Sequence, residues 1–149
     1  MSTIIIGKRG FIAQNLVKFF VKKKIKFLNV SLNSFLKLKK NNLLKFKNVI
    51  NCSINKKIIN NKYKVENDFD LKISNKIKFL NIRYIFLSTR KVYGNNKYPN
   101  ENSYLSPRCN YSKNKLISEK KCLQILKNKL VILRISNLIG YRSDNKKRL

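Results

Sequence analysis

The fold of this chain is decided by the segment Thr-Ile-Ile-Ile-Gly-Lys-Arg-Gly-Phe-Ile-Ala, which occupies residues 3–13. A short apolar run passes through a G-x-x-G-x-x-A turn into a stretch with helical periodicity. Gly7 permits a tight turn, Gly10 lets backbone approach a pyrophosphate, and the small Ala13 lets the helix pack on the strand. The segment predicts a strand, a phosphate-binding turn and a helix, although turn formation alone would also account for two glycines.

Apolar runs alternate with helical patterns along the rest of the chain, which is typical of repeated βαβ units. We predict an α/β fold, with a Rossmann-type doubly wound parallel sheet and helices on both faces, in a single domain spanning residues 1–149. Residues 33–47 are the least clear segment and are interpreted as a compressed crossover. The predicted strands are 3–6, 25–31, 48–53, 84–88 and 130–135, the predicted helices are 11–23, 68–80 and 110–126, and 95–107 is a polar loop.

Composition excludes several kinds of site. The chain has no His, so His-containing triads, His-ligated zinc and a His general base are ruled out. Its three cysteines, Cys52, Cys109 and Cys122, have no metal-ligand spacing, and we predict reduced thiols and no metal site. With 43% hydrophobic residues the chain is too apolar for a disordered basic tail.

The charge balance is extreme, with 35 Lys and Arg against 6 Asp and Glu, a formal net charge of +29. Such a charge invites a nucleic-acid interpretation. We disfavour it because the lysines are spread along the whole chain and no RNA-binding aromatic signature accompanies them. Lys, Asn and Ile dominate, as A/T-rich codons would produce, so most lysines are assigned to a solvated face and some to an anionic ligand.

No targeting or membrane-spanning segment is predicted. The first apolar stretch, residues 3–6, is too short for a signal peptide. No later run approaches the ~20 apolar residues of a membrane span. We therefore expect a cytoplasmic protein with no membrane partner.

A second motif, Tyr-Ser-Lys-Asn-Lys at residues 111–115, places Tyr111 and Lys115 on one face of a helix. An ammonium beside a phenol stabilises the phenolate, which makes the phenol a usable proton donor and acceptor near neutrality. By itself the pair is also compatible with a core Tyr and a surface Lys. Its position after a strand that ends in Leu-Ser-Thr at residues 87–89 favours the catalytic interpretation.

In these motifs the chain resembles the extended short-chain dehydrogenase/reductase family of sugar-nucleotide epimerases, dehydratases and reductases. The resemblance covers nearly the whole chain in the correct order, and all four glycines fall on motif positions. The matching segments are the glycine turn with Phe11 and Ile12, Asn51-Cys52-Ser53, Ser-Thr-Arg-Lys-Val-Tyr-Gly at 88–94, the series Glu101, Pro107, Tyr111, Lys115 and Glu119, and Arg134 to Gly140.

The resemblance implies the roles of the site residues. It makes Tyr111 the general acid/base at a sugar carbonyl or hydroxyl, Lys115 its modulator and the ligand of the nicotinamide ribose, and Thr89 a hydrogen-bond donor to the reacting oxygen. It implies a nucleotide-sugar substrate and a reductase or epimerase reaction, nearest to the dTDP-4-dehydrorhamnose reductase branch. The cofactor-binding residues that it implies are Gly7, Arg9, Gly10, Phe11, Ile12, Asn51, Cys52, Ser53, Tyr111 and Lys115.

The chain departs from the family at two positions that affect the expected reaction and cofactor. Dehydratases of the family usually carry Asp-Glu after the catalytic Thr, but Arg90 and Lys91 occupy those places, which disfavours dehydration. Residues 29–33 lack the acid that commonly binds the adenosine ribose. With Arg9 and the lysines at 37, 39 and 40 in reach, we expect NADP to be favoured over NAD.

Length is the largest departure, because family members run to roughly twice the size of this chain. We therefore expect a cofactor-binding half that lacks most of the substrate-binding lobe. Three alternatives follow: an active reductase or epimerase, a dinucleotide-binding module without turnover, and a basic nucleic-acid-binding protein. Two kinds of protein partner are consistent with the resemblance, a homodimer through residues 110–126 or a second chain that supplies the missing lobe.

Overall fold

The computed structural model describes residues 2–138 and shows one parallel five-stranded sheet with helices on both faces. The strand order is β2-β1-β3-β4-β5, and every neighbouring pair is parallel. The predicted fold class is thereby confirmed. The strands are β1 (Thr3–Ile6), β2 (Phe27–Val30), β3 (Asn48–Asn51), β4 (Arg83–Thr89) and β5 (Leu130–Ile135).

Six α-helices connect the strands, and the three longest were predicted within a few residues. The ambiguous segment 33–47 falls mostly within two short helices, consistent with a compressed crossover. Short 3₁₀ turns lie at Val65–Asn67, Arg90–Tyr93 and Lys127–Lys129. The helices are α1 (Phe11–Lys22), α2 (Leu32–Lys37), α3 (Lys40–Leu43), α4 (Lys57–Asn60), α5 (Phe69–Ile77) and α6 (Asn110–Leu126).

Successive strands are added to the sheet in two directions from β1, with β2 on one side of it and β3 on the other. Because parallel crossovers are right-handed, the two directions place α1 on one face of the sheet and α5 and α6 on the opposite face. A crevice opens at the carboxyl ends of β1 and β3, where the strand order reverses, and such crevices are the usual ligand sites of these sheets. Gly7 and Cys52, the residues that follow β1 and β3, meet there.

The main core lies between the sheet and the helices α2, α5 and α6. Every residue of β1 is buried, as expected for a central strand covered on both faces. On the opposite face, the fully buried Ala13 brings α1 close to the sheet. The largest fully buried side chains include Tyr84, Phe35, Phe86, Ile4, Ile6, Leu43, Ile73 and Ile77.

Strands β2, β3 and β5 differ most from expectation in length or burial. Strand β3 ends at Asn51, two residues short of the predicted 48–53. Strand β2 is shorter than the predicted 25–31, since its pairing with β1 begins at Phe27 and Ile25 is 36% exposed. Strand β5 lies at one edge of the sheet formed by residues 2–138, and its Leu133 is 46% exposed, although its near-continuous apolar run predicts burial. Gly140 of the predicted Arg134-to-Gly140 motif lies outside the described residues.

Gly94 ends the 3₁₀ turn that follows β4, and it requires the backbone freedom of glycine. Its φ is +64°, and a Cβ at this position would lie 2.4 Å from the Ser106 carbonyl oxygen. The backbone N–H of Ser106 donates to the Val92 carbonyl at 2.9 Å, so the two segments are held against each other. A side chain at Gly94 would therefore separate the loop from the end of β4.

We predict that Gly94→Ala lowers the free energy of unfolding by about 1–3 kcal/mol, because it combines a left-handed backbone with a steric clash. Urea unfolding followed by circular dichroism measures this loss. Asn95→Ala, at the exposed neighbouring position, should change the free energy by less than about 0.5 kcal/mol. Equal stability of Gly94→Ala and the unmodified chain would contradict the prediction.

Candidate active site

A cavity of about 300 Å³ opens at the carboxyl ends of β3, β4 and β5. It brings together seven of the residues predicted from sequence: Ile12, Asn51, Cys52, Ser53, Thr89, Tyr111 and Lys115. These residues come from four separate parts of the chain. The remaining lining residues are Ile54, Leu87, Ser88, Lys91, Ile135, Ser136 and Leu138.

The glycine turn lies beside this cavity and packs on the segment that follows β3. Gly7 has φ +116°, and a Cβ there would lie 3.1 Å from the Cys52 carbonyl carbon and the Ser53 nitrogen. A Cβ at Gly10 would lie 3.3 Å from the Cys52 carbonyl oxygen. The predicted residues Gly7, Gly10 and Phe11 therefore border the cavity without lining it, and Arg9 is exposed in the turn.

The amino terminus of α1 fits a phosphate group. Its N-cap is Gly10, which provides no side-chain cap, and its first turn contains no acidic residue. The first backbone N–H groups of a helix have no intrahelical acceptor, and the helix dipole adds partial positive charge there. These donors can hold the pyrophosphate of a dinucleotide, with the close backbone approach that Gly7 and Gly10 allow.

Tyr111 and Thr89 present hydroxyl groups to the cavity. Tyr111 is half-buried in the first turn of α6, and among the described residues no group hydrogen-bonds its side chain. Thr89 ends β4, is 7% exposed, and its hydroxyl oxygen accepts from the Lys91 N–H at 3.3 Å. The Thr89 hydroxyl hydrogen is therefore available to a ligand in the cavity that both residues line.

Lys115 lies one helical turn after Tyr111 and is almost completely buried. Its Nζ donates to the Asp70 carboxylate at 2.9 Å, and the two side chains are each 5% exposed. Its Nζ also lies 4.4 Å from the centroid of the Phe86 ring. Burial lowers the pKa of Lys115, but the surrounding anionic groups, Asp70 foremost, together raise it above its ordinary value. Lys115 is therefore held as a cation.

Asp70 is the centre of a buried hydrogen-bond network. Besides Lys115, its carboxylate accepts from Asn51 Nδ2 at 2.7 Å and from the Tyr84 hydroxyl at 2.5 Å. Asn51 Oδ1 in turn accepts from the backbone N–H of Ser53 at 2.9 Å and from its hydroxyl at 2.6 Å. The network connects α5, α6, β3 and β4, and removing one partner of such a buried ion pair costs about 3–5 kcal/mol.

A second buried carboxylate, Glu119, accepts hydrogen bonds from the strands beside the cavity. Arg134 Nη2 donates to it at 2.7 Å, and the Ser88 hydroxyl also donates to it. Arg134 Nη1 donates to the Tyr93 hydroxyl at 2.7 Å. These bonds tie β4, the following 3₁₀ turn, α6 and β5 together, so the motif residues Ser88, Glu119 and Arg134 have structural partners.

The sequence interpretation missed Asp70. It lies two residues after Asp68, the N-cap of α5, whose side chain accepts from the Leu71 N–H at 2.9 Å, and both acids look like helix-start residues in the sequence. The scarcity of acids could have drawn attention to Asp70, because only six Asp and Glu residues occur in the chain. A buried acid in so basic a chain requires a buried partner.

An open hollow of about 790 Å³ adjoins the cavity at Ile135 and Ser136. It lies between β5 and the loop after the 3₁₀ turn, and its lining includes Arg90, Lys97 and Arg134. The Arg90 guanidinium donates to the Asn96 and Lys97 carbonyls, which fixes that loop. The hollow thus offers cations next to the proposed reacting groups.

None of the helices formed within residues 2–138 combines the length and apolar character that a bilayer crossing demands.

The three cysteines should differ in reactivity. Burial raises the pKa of Cys52 and of Cys122 to about 12, whereas hydrogen bonds from Ser112 lower the pKa of the exposed Cys109. Because only the thiolate is alkylated, we predict that iodoacetamide at about pH 8 modifies Cys109 at least about 100-fold faster than the others. Mass spectrometry of the labelled peptides measures these rates.

Cys109→Ser provides the control, since it should leave no rapidly reacting thiol in the folded chain. In denaturant, Cys52 and Cys122 should react at the rate of ordinary thiols. Rapid modification of Cys52 in the folded chain would contradict the raised pKa of its thiol.

Comparisons with known proteins agree with the fold. A dTDP-4-dehydrorhamnose reductase from Clostridium acetobutylicum is 21% identical with a TM-score of 0.67, and the match covers 90% of this chain and 52% of that one. A dTDP-4-dehydrorhamnose reductase from Yersinia enterocolitica is 17% identical with a TM-score of 0.69, covering 94% and 54%. UDP-glucuronic acid 4-epimerase from Bacillus cereus in complex with NAD is 21% identical with a TM-score of 0.69, covering 91% and 56%.

This chain therefore spans about half the length of these solved structures. The search of curated proteins finds no match. The sequence model of the NAD dependent epimerase/dehydratase family matches residues 3–149, and the chain belongs to that family.

Proposed function

We propose that this chain binds a nicotinamide dinucleotide and takes part in an oxidoreductase or epimerase reaction on a nucleotide sugar. One observation carries the proposal. Thr89, Tyr111 and Lys115 line a single cavity with Asn51, and this cavity borders the uncapped amino terminus of α1. Family membership and the similar reductase and epimerase structures support the same chemistry.

In this proposal each residue has a separate task. The cofactor supplies the hydride acceptor or donor. The first turn of α1 holds its pyrophosphate, and Lys115 donates to its ribose. Tyr111 exchanges a proton with the sugar oxygen, while Thr89 donates a hydrogen bond that orients the same oxygen.

A nucleotide sugar is the substrate class that the surroundings favour. The open hollow beside the cavity is lined by the cations Arg90 and Lys97, which suit the phosphates of such a substrate, and also by Glu101. Two of the similar structures are dTDP-4-dehydrorhamnose reductases and one is a UDP-glucuronic acid 4-epimerase. Arg90 and Lys91 directly after Thr89 favour reduction or epimerisation over dehydration.

For the cofactor we propose NADP over NAD, with Arg9 as the residue that favours the 2′-phosphate. The Gly7 N–H donates to the Val30 carbonyl at 2.8 Å, which places the turn containing Arg9 at the carboxyl end of β2. The expectation that Lys40 also reaches this site is not supported by its position. Lys40 shares a small hollow with Lys76 and Phe79 at the C-terminal end of α5, toward the opposite edge of the sheet.

A second candidate is a dinucleotide-binding module without turnover. It is favoured by the extent of the match, since this chain covers 52–56% of the similar structures quoted above. The two candidates share the cofactor site and differ only in catalysis.

We predict that the purified chain oxidises NADPH in the presence of a 4-keto nucleotide sugar and that Tyr111→Phe lowers kcat by at least about 100-fold, the usual contribution of a general acid. NADPH absorbance follows turnover, and fluorescence titration should give the same NADPH Kd for both proteins within about threefold. Tyr104→Phe, at a tyrosine that is 86% exposed, should leave both quantities unchanged.

Full activity of Tyr111→Phe would contradict the assigned role of Tyr111. NADPH binding without turnover would favour the second candidate. Absence of binding to either NADPH or NADH would overturn both.

We also predict that Arg9→Ala weakens NADPH binding by roughly 3- to 10-fold, as expected for the loss of about 1 kcal/mol from an exposed charge-assisted contact. The Kd for NADH should not change, because NADH lacks the 2′-phosphate. Lys8→Ala, at the exposed position next to Arg9, is the matched control. An equal effect of Arg9→Ala on both cofactors would contradict the proposed preference.

A further inference from the structure

Asp70 contacts the proposed catalytic machinery but has no role in the function proposed above. It is 4% exposed in the first turn of α5. Its carboxylate accepts hydrogen bonds from Asn51 on β3, Tyr84 on β4 and Lys115 on α6. A buried carboxylate that meets three separate elements beside the cavity calls for an explanation beyond helix capping, which Asp68 already provides.

We propose that Asp70 is a positioning residue for Lys115: its carboxylate holds the Lys115 ammonium at the cavity wall and maintains it as a cation. The inference rests on the proposed function, in which Lys115 donates to the cofactor ribose. It adds a residue that touches neither cofactor nor substrate and acts only through Lys115.

The geometry separates the two carboxylate oxygens of Asp70. Oδ1 accepts from Asn51 Nδ2 at 2.7 Å and from the Tyr84 hydroxyl at 2.5 Å, both neutral donors. Oδ2 accepts from Lys115 Nζ at 2.9 Å. The first pair of bonds fixes the orientation of the carboxylate, and the remaining oxygen then determines where the end of a long, flexible side chain lies. Lys115 retains further N–H donors for a ligand in the cavity.

The charges around Lys115 make Asp70 decisive for its protonation. Burial in an apolar setting disfavours an ammonium, and the ring of Phe86 on one side compensates only in part. Asp68, the other nearby acid, bonds to Tyr63 and Ser118 instead. The other titratable groups near Lys115 or lining its cavity are Tyr84 on β4, Tyr111 and Cys122 on α6, Cys52 after β3 and Lys91 after β4.

The same carboxylate connects Lys115 to the glycine turn. Asn51 bonds Asp70 through Nδ2 and Ser53 through Oδ1, and the Ser53 backbone nitrogen lies against Gly7. The proposed pyrophosphate site and the proposed ribose site are therefore connected by a series of hydrogen bonds from Lys115 to Ser53 and by the close packing of Ser53 on Gly7. Loss of Asp70 should affect the position of Lys115 most directly, because that contact carries opposite charges.

The test is a pH titration of Lys115 in the cofactor-free full chain, by NMR of protein labelled with ¹³C at lysine Cε. The Lys115 resonance is the one that disappears in Lys115→Arg. In the unmodified chain it should stay at its protonated position beyond the pH at which exposed lysines titrate. In Asp70→Asn its midpoint should fall by at least about 1 pH unit, because burial then acts without a counter-ion.

Asp68→Asn is the matched control, since it removes a buried carboxylate from the same helical turn without touching Lys115. It should lower the Lys115 midpoint by less than half as much as Asp70→Asn does, because Asp68 acts on Lys115 only as a weaker charge without a hydrogen bond. Coincident titration of Lys115 in Asp70→Asn and the unmodified chain would overturn the inference. Because no cofactor is present, that result would not bear on the proposed function, which the NADPH binding and turnover assays test separately.

A double variant keeps the inference testable if Asp70→Asn folds poorly. Asp70→Asn leaves an unpaired buried ammonium, so adding Lys115→Met should raise the urea midpoint above that of the single variant. If Asp70 served only Asn51 and Tyr84, the second substitution would leave the midpoint unchanged or lower it. That outcome would also overturn the inference.

Discussion

The buried ion pair between Asp70 and Lys115 is the constraint on which the arrangement of the site depends. An ammonium and a carboxylate, each 5% exposed at the side chain, are compatible with a folded interior only if they remain together. To meet that condition, α5 and α6 must keep a fixed relation to each other and to the ends of β3 and β4. The helix that carries Tyr111 is held in place by the same requirement.

The acids near the site are buried, whereas the excess positive charge of this chain lies mostly on the surface. Of its six acids, Asp68, Asp70 and Glu119 are buried, and each accepts several hydrogen bonds in the interior. The positive charge is therefore concentrated on the surface, where lysines replace other polar residues at little cost in stability. The three buried acids lie at a helix start or beside a cation with which they pair.

Much of the fold could be predicted because the relevant signals are local. The glycine turn, the alternation of apolar runs and helical patterns, and the spacing of Tyr111 and Lys115 all lie within short segments. Helix α6 was predicted with its observed bounds, Asn110–Leu126. The position of β5 at one edge of the sheet formed by residues 2–138 could not be predicted, because strand order depends on contacts between distant segments. Asp70 was missed because its partners lie 14 to 45 residues away along the chain.

The sequence by itself determined the fold class, the family and most of the polar side chains that line the cavity. Periodicity and turn chemistry are properties of neighbouring residues, and the order of motifs along the chain can be recognised without any distances between them. Only the tertiary structure decided which charges are buried and paired: Lys115 with Asp70, and Arg134 with Glu119. The physical reason is that burial and ion pairing depend on contacts between distant segments, which exist only after the sheet and its helices have assembled.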